Sequence, residues 1–437
     1  MTDICILGAG VTGLAAALAS GGTAYEAAER PGGICSSYYM RPGDAEPRTG
    51  PAAGSGAYRF EIGGGHWIFG GDPVVLRLID NMAGTRRYSR KSAVFFPDTE
   101  RHVPYPLQNH LGFLDIATAS TALAELFAAP RGIPQTMEQW LVQSFGPTLT
   151  DMFFGPFHEA YTAGLWTRIA PQDGYKSPVE PAHVISGTFA ATPAAGYNAT
   201  FLYPAGGLDR LADAIGSRAS VSYGKRAIKI DTSSREVHFG DGSSVGYRDL
   251  ISTLPLNAAL RLAGVEVEQV CDPHTSVLVL NVGAERGRSC PDDHWIYVPR
   301  SRSGFHRIGF YSNVDPSFLP GGEKDSNKRV SIYVERAYAS GQRPSPEEAK
   351  RYEREVISEL TEWGFIGQAE VAHPTWIDVA YTWNWPGSKW RAEALSALEQ
   401  SGIQQIGRYG RWNFQGIAQS IGEGLMTGSA ARHLRGH

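Results

Sequence analysis

The sequence predicts a mixed α/β chain in three parts: a core assembled from separated segments, a helical insert and an antiparallel sheet. Three observations predict it. Residues 4–27 run strand, glycine turn, helix, strand. Apolar spacing turns helical between about residues 108 and 164, and alternates in twos between about 275 and 385. At 437 residues the chain exceeds one small core, and length alone suggests roughly two to four units.

The elements follow in order. Ile4-Cys5-Ile6-Leu7 is a short apolar strand that ends in Gly8-Ala9-Gly10-Val11-Thr12-Gly13. Residues 14–19 are rich in helix formers, Gly21-Gly22 closes that helix, and residues 23–27 return as a strand. Residues 35–60, rich in Gly, Pro and Ser, read as an exposed loop before a strand at 58–62. Helices are expected over 111–127 and 137–154, where apolar residues recur three and four apart. Strands return at 228–230, 237–239 and 249–253, then at 277–282, 306–310 and 330–334. Ser345-Pro346-Glu347-Glu348 opens a helix over 344–363, and a glycine-rich tail leads to a last helix from about Ser420.

Composition narrows the function. A net charge of −4 argues against general attraction to nucleic acid or anionic membranes, so phosphate binding must rely on placed arginines and helix ends. Cys5, Cys35, Cys271 and Cys290 have no metal-ligand spacing and read as free thiols of a reducing compartment. With no leader pattern and no apolar run of membrane-spanning length, a cytoplasmic address is expected, with no metal.

Gly8-x-Gly10-x-x-Gly13 after a strand and before a helix, trailed by Glu26, is a dinucleotide fingerprint. Gly8 permits the turn, Gly10 the approach of a pyrophosphate, and Gly13 close packing of helix on strand, with Thr12 in the first turn. Glu26 would accept the ribose hydroxyls. The continuation Glu26-Ala27-Ala28-Glu29-Arg30-Pro31-Gly32-Gly33 resembles the E-A-x-x-R-x-G-G segment of amine-oxidase-like flavoproteins. That resemblance implies FAD rather than NAD and assigns Arg30 and Gly33 to it. Gly63-Gly64-Gly65-His66 and the tail from Gly407 through Ala418, Gln419 and Ser420 supply two more segments for a long cofactor. His66 is expected beside the flavin; a packed ring with satisfied nitrogens is the alternative. The expected fold is therefore a discontinuous Rossmann-like FAD-binding domain (1–100, 205–272 and 395–437). A mainly helical substrate domain (101–204) and an antiparallel sheet domain (273–394) complete it.

Five further segments, in order, resemble the UDP-galactopyranose mutases. They are Gly64-Gly65-His66-Trp67-Ile68-Phe69, Val103-Pro104-Tyr105-Pro106-Leu107-Gln108-Asn109, Tyr197-Asn198-Ala199-Thr200-Phe201-Leu202-Tyr203-Pro204, Phe305-His306-Arg307-Ile308-Gly309-Phe310-Tyr311-Ser312-Asn313 and Gly407-Arg408-Tyr409-Gly410-Arg411-Trp412. The resemblance implies a redox-neutral pyranose–furanose interconversion of a UDP- or GDP-sugar, through a covalent adduct at N5 of reduced flavin. It assigns the substrate diphosphate to Arg307 and Arg408. It gives a nucleobase sandwich to Phe157 and Tyr161 and a mobile active-site role to Trp166, although a core stripe would look the same. Tyr105, Gln108, Asn109, Asn313 and Tyr381 join the substrate set, and Arg307, Arg408 and His66 the catalytic one.

Departures bear on specificity. Leu202 stands where fungal members carry arginine, Gly164 where bacterial members carry lysine, and Phe414 where a tyrosine bonds a diphosphate oxygen. Trp383-Asn384-Trp385-Pro386 replaces a Tyr-Pro-x-Pro segment. These changes point away from UDP-galactose as best substrate. A nucleotide-diphosphate sugar is the expected partner, with no nucleic acid or membrane and with a homodimer left open. A true oxidoreductase of the amine-oxidase superfamily is the alternative, and a non-catalytic flavoprotein a further one.

Overall fold

The computed structural model describes residues 2–50, 56–128, 132–172, 174, 179–190 and 196–433. Thr2–Leu7 lies at the centre of a seven-stranded sheet. It pairs in parallel with Thr23–Tyr25 on one side and Ser244–Ser252 on the other, with Ser220–Ser222 beyond the former. Ile403–Gln405 returns from the far end of the chain to pair in parallel with Ser244–Ser252. The hairpin Ala227–Asp231/Glu236–Phe239 extends the same sheet.

The helix Val11–Ser20 leaves this sheet and packs against the last helix, Ile417–His433, backbone to backbone. A Cβ on Gly424 or Gly428 would overlap the carbonyls of Thr12 or Ala16, so small residues set this approach. Gly21, at φ +72°, ends the first helix in the left-handed conformation.

A second seven-stranded sheet runs in the order Ile366–Thr382, His274–Arg286, Arg329–Ala339, Arg307–Phe310, Trp295–Tyr297, Ser92–Phe96 and Arg101–Pro104. It is antiparallel except where Trp295–Tyr297 meets Ser92–Phe96. The period of two sorts its side chains. Val277, Val279 and Tyr333 face the core of the first sheet, whereas Leu278, Leu280 and Val334 face a separate core with the helix Pro346–Glu362. Ser345 caps that helix in a reciprocal box with Glu348.

The helical insert holds Ile116–Phe127, Met137–Leu149, Gly155–Tyr161 and Pro181–Phe189. Asp115 caps the first of these, so Leu111–Phe113 forms a separate short turn rather than the helix start expected at 111. The run expected as one helix over 137–154 is broken at Gly146, at φ +76°, before Pro147, and continues through a π-helical turn at Thr150–Phe154. That bend aims Phe153, Phe154 and Phe157 together.

Two further expectations are corrected. Residues 35–60 are not simply an exposed loop: Ser37–Met40 is a buried strand paired with Tyr58–Glu61, while 51–55 lie outside the described residues. Ser36 and Ser37 gave that short strand a polar look, but Ser37 donates to buried Glu61. The boundary expected at residue 100 also fails, because Ser92–Phe96 belongs to the second sheet and Thr85–Ser89 pairs with Thr200–Pro204. Such cross-chain pairings leave no mark on local periodicity.

Candidate active site

A cavity of ≈ 470 Å³ runs from the glycine turn to the helical insert. At its first end Gly8 takes φ +94° and Gly10 is extended with open space where a Cβ would point. A Cβ on Gly13 would overlap the Gly8 carbonyl, so that glycine serves the packing and does not line the cavity. Gly10 offers no side-chain cap to the helix Val11–Ser20, whose first-turn N–H groups therefore suit an anion. Glu26 accepts the Ala9 N–H at 2.7 Å and the Ala28 N–H at 2.9 Å, leaving further lone pairs on both oxygens. Open space, uncapped helix and placed carboxylate together fit a flavin dinucleotide.

Gly33, Gly65, His66 and Gly407 line the middle of the cavity. A Cβ on Gly65 would overlap the Tyr333 phenol, so the segment is pressed against the second sheet. Burial, then the nearby Arg408 charge, pulls His66 down to about 4, and it is neutral at physiological pH. Its Nδ1 lies 3.4 Å from the Gly64 carbonyl.

Beyond His66 stand two arginines in unlike surroundings. Arg307 donates through Nε and Nη2 to Glu335 at 2.8 and 2.7 Å. Glu335 is 2% exposed; burial pushes its carboxyl up, but the Arg307 guanidinium beside it holds it at about 2. Among the described residues no carboxylate pairs with Arg408, whose guanidinium lies 4.7 Å from the Phe414 ring centre. It reaches the Gln415 and Ala380 carbonyls only at 3.4 and 3.5 Å. Tyr381 stands between the arginines, its hydroxyl 3.4 Å from Arg307 Nη2. The far end is aromatic, with Phe153, Phe157, Tyr161, Tyr297 and Trp383 along its wall.

Over residues 13–436 the chain matches the family described as flavin containing amine oxidoreductase. The chain belongs to that family. Its fold is similar to that of a reduced UDP-galactopyranose mutase, with a TM-score of 0.83 and 23% identity over 100% of this chain and 97% of the other. A putrescine oxidase variant aligns with a TM-score of 0.60 and 15% identity, covering 98% of each chain. A Pyrococcus furiosus protein aligns with a TM-score of 0.60 and 16% identity, covering 99% of this chain and 98% of its own. Among the described residues no helix is long and apolar enough to cross a membrane.

Within this flavin-containing fold, Gly8, Gly10, Thr12, Glu26, Gly33, Gly65, His66, Tyr105, Phe157, Tyr161, Arg307, Tyr381, Gly407, Arg408 and Ser420 meet around one cavity. Other expected site residues do not line it. Arg30 donates to the Ser37 carbonyl, and Gly64 lies against Glu335 and Val279. Ala418 is packed in the core, while Gln419 accepts the Gly416 N–H and so braces the helix start. Gln108 and Asn109 are buried in the turn under the helix Pro181–Phe189. Trp166 donates its indole N–H to Glu159 at 2.8 Å and rests on Gly155. Asn313 bonds the Pro291 and Asp293 carbonyls and Arg286, bracing a sheet end.

The aromatic pair also differs from expectation. Phe157 and Tyr161 stack on each other with centroids 5.3 Å apart, which leaves no slot between them for a base needing about 7 Å of ring spacing. Four residues of helix bring them face to face. Sequence reasoning misses Glu335 and Tyr297, whereas His306 and Trp383 lie within segments it names. Tyr197 and Asn198 line the cavity too, and both belong to a segment that carries the resemblance. A signal existed for Glu335: it interrupts the alternating strand Arg329–Ala339 with a buried charge.

Proposed function

We propose that the chain is an FAD-dependent nucleotide-sugar mutase that interconverts pyranose and furanose forms without net oxidation. One observation carries the reading: a single cavity joins Gly10 and Glu26 to His66, then to Arg307 and Arg408, then to an aromatic wall. Likeness in fold to a UDP-galactopyranose mutase over the whole chain supports it.

In this reading the N–H groups after Gly10 hold the flavin diphosphate, Glu26 accepts the ribose hydroxyls, and Gly33, Gly65 and Gly407 admit the rest of the cofactor. Reduced FAD supplies the nucleophile toward the anomeric carbon of the sugar. The residues of the chain bind, orient and exclude water. Arg408 offers the diphosphate a charge that no carboxylate among the described residues cancels. Arg307 is aimed by Glu335 and contributes placement of its remaining donors more than net charge. His66 is neutral and can share a hydrogen bond without adding a cation. The outer face of the Phe157–Tyr161 stack receives the base, and the rings around it keep the site dry. Phe414 makes the surface beneath Arg408 apolar, which favours a substrate other than UDP-galactose.

The test is a panel of UDP- and GDP-sugars with dithionite-reduced enzyme under anaerobic conditions, read by chromatography for furanose product, with a parallel panel of amines and the same sugars on oxidised enzyme in air, read by an oxygen electrode. Furanose without oxygen consumption is expected. Stoichiometric oxygen uptake with an amine and no isomerised sugar would place the chain among the oxidoreductases instead.

A further inference from the structure

One buried carboxylate serves two neighbours in this site. Arg307 occupies both oxygens of Glu335, and His306 Nε2 stands 3.6 Å from Oε2, beyond hydrogen-bond range. His306 is 1% exposed, and neither ring nitrogen has a hydrogen-bond partner among the described residues. Its ring centre lies 5.8 and 5.3 Å from those of Phe157 and Tyr161, and it lines the cavity that holds both arginines. The charged or titratable groups facing it are Glu335 and Arg307 from the sheet and Tyr161 from the helix. Burial disfavours its charged form, so the free site holds a neutral imidazole beside a neutral ion pair.

A nucleoside diphosphate sugar brings two negative charges. Arg307 and Arg408 answer both, but Glu335 takes one positive charge back, leaving one negative charge unbalanced among aromatic walls. We propose that His306 takes up a proton from solvent when a diphosphate ligand binds beside Arg307, forming an Arg307–Glu335–His306 cluster that restores neutrality. The inference rests on the nucleotide-sugar reading above. The proton returns to solvent on release, and none is consumed. Charge on the diphosphate grows when its bond to the sugar breaks, so a cationic His306 would matter most at that stage. His306 is a positioning residue, since it acts through Glu335 and Arg307.

The experiment is titration calorimetry of the oxidised holoenzyme with UDP-galactose and with GDP-mannose, at neutral pH, in buffers of differing ionisation enthalpy. Neither ligand titrates near neutrality, so any proton taken up belongs to the protein. Wild type is expected to gain about half to one proton per bound ligand, and His306→Gln less than about 0.2. Glu335→Gln, which removes the competing negative charge, is expected to lose the uptake as well. A merely structural role for His306 would change affinity but leave the buffer dependence intact. Binding to wild type without proton uptake, or equal uptake in His306→Gln, overturns this inference alone. No binding of either ligand overturns the nucleotide-sugar reading and the inference with it.

Discussion

Replacing Arg408 with alanine separates a charge kept for ligand from a charge tied into the fold. Arg408 has no carboxylate partner among the described residues and only long contacts to two carbonyls, so its removal strands no buried group. Loss of a charge-assisted contact to a diphosphate is worth about 1.5–3 kcal/mol, which is roughly a 10- to 150-fold weaker nucleotide-sugar affinity. Arg307→Ala differs in kind. It leaves Glu335, 2% exposed, without its counter-charge, and breaking a buried pair in this way costs about 3–5 kcal/mol of stability. Arg408→Ala is thus expected to keep wild-type flavin content and melting temperature while losing affinity. Arg307→Ala should lose both affinity and stability. Calorimetric titration with a nucleotide sugar and a flavin-fluorescence melt, run on both variants, measure the two effects. Arg408→Ala binding within threefold of wild type, or equal melting of the two variants, would refute the reasoning.

Other outcomes follow from the cofactor cradle. Gly10→Val, whose side chain would project into open space, should give a folded but colourless protein; full flavin occupancy would show that the cradle lies elsewhere. Heating should release all the flavin as free FAD, because Cys35 and His66 line the site in no linking motif; colour left on the denatured chain would contradict this. His66 has a folded value depressed from 6.5 to about 4, so its contribution is fully present above 6.5 and is lost as pH falls towards 4. His66→Asn should therefore lose less stability than wild type across that window, and parallel pH–melting curves for the two proteins would be evidence against it.

The glycine-turn end of the cavity was legible because its signal is local. Gly8, Gly10, Gly13 and Glu26 lie within one strand–turn–helix–strand unit, where spacing alone dictates geometry. The capped helix after Ser345 was legible for the same reason. What failed was non-local. Ser37–Met40 is too short to show a period, and the pairing of Ser92–Phe96 with Trp295–Tyr297 joins segments some two hundred residues apart. Within the site, Arg307 stood out as a cation, yet its partner Glu335 lies on the neighbouring strand and changes what that cation offers. The sequence reading counts the departures at Leu202 and Gly164 towards specificity, but neither lines the cavity. Leu202 packs on the core of the first sheet and Gly164 holds a turn at φ +83°. Phe414 and Trp383 remain as the departures that line the cavity.

Under the proposed function the flavin works as a reduced group in a reaction with no net redox change. This is tested most directly by comparing initial rates with one nucleotide sugar, anaerobically, on oxidised and on fully reduced enzyme. Furanose product is expected only from reduced enzyme, over many turnovers, with no reductant consumed. Equal rates from both forms, or one reductant spent for each product, would contradict it.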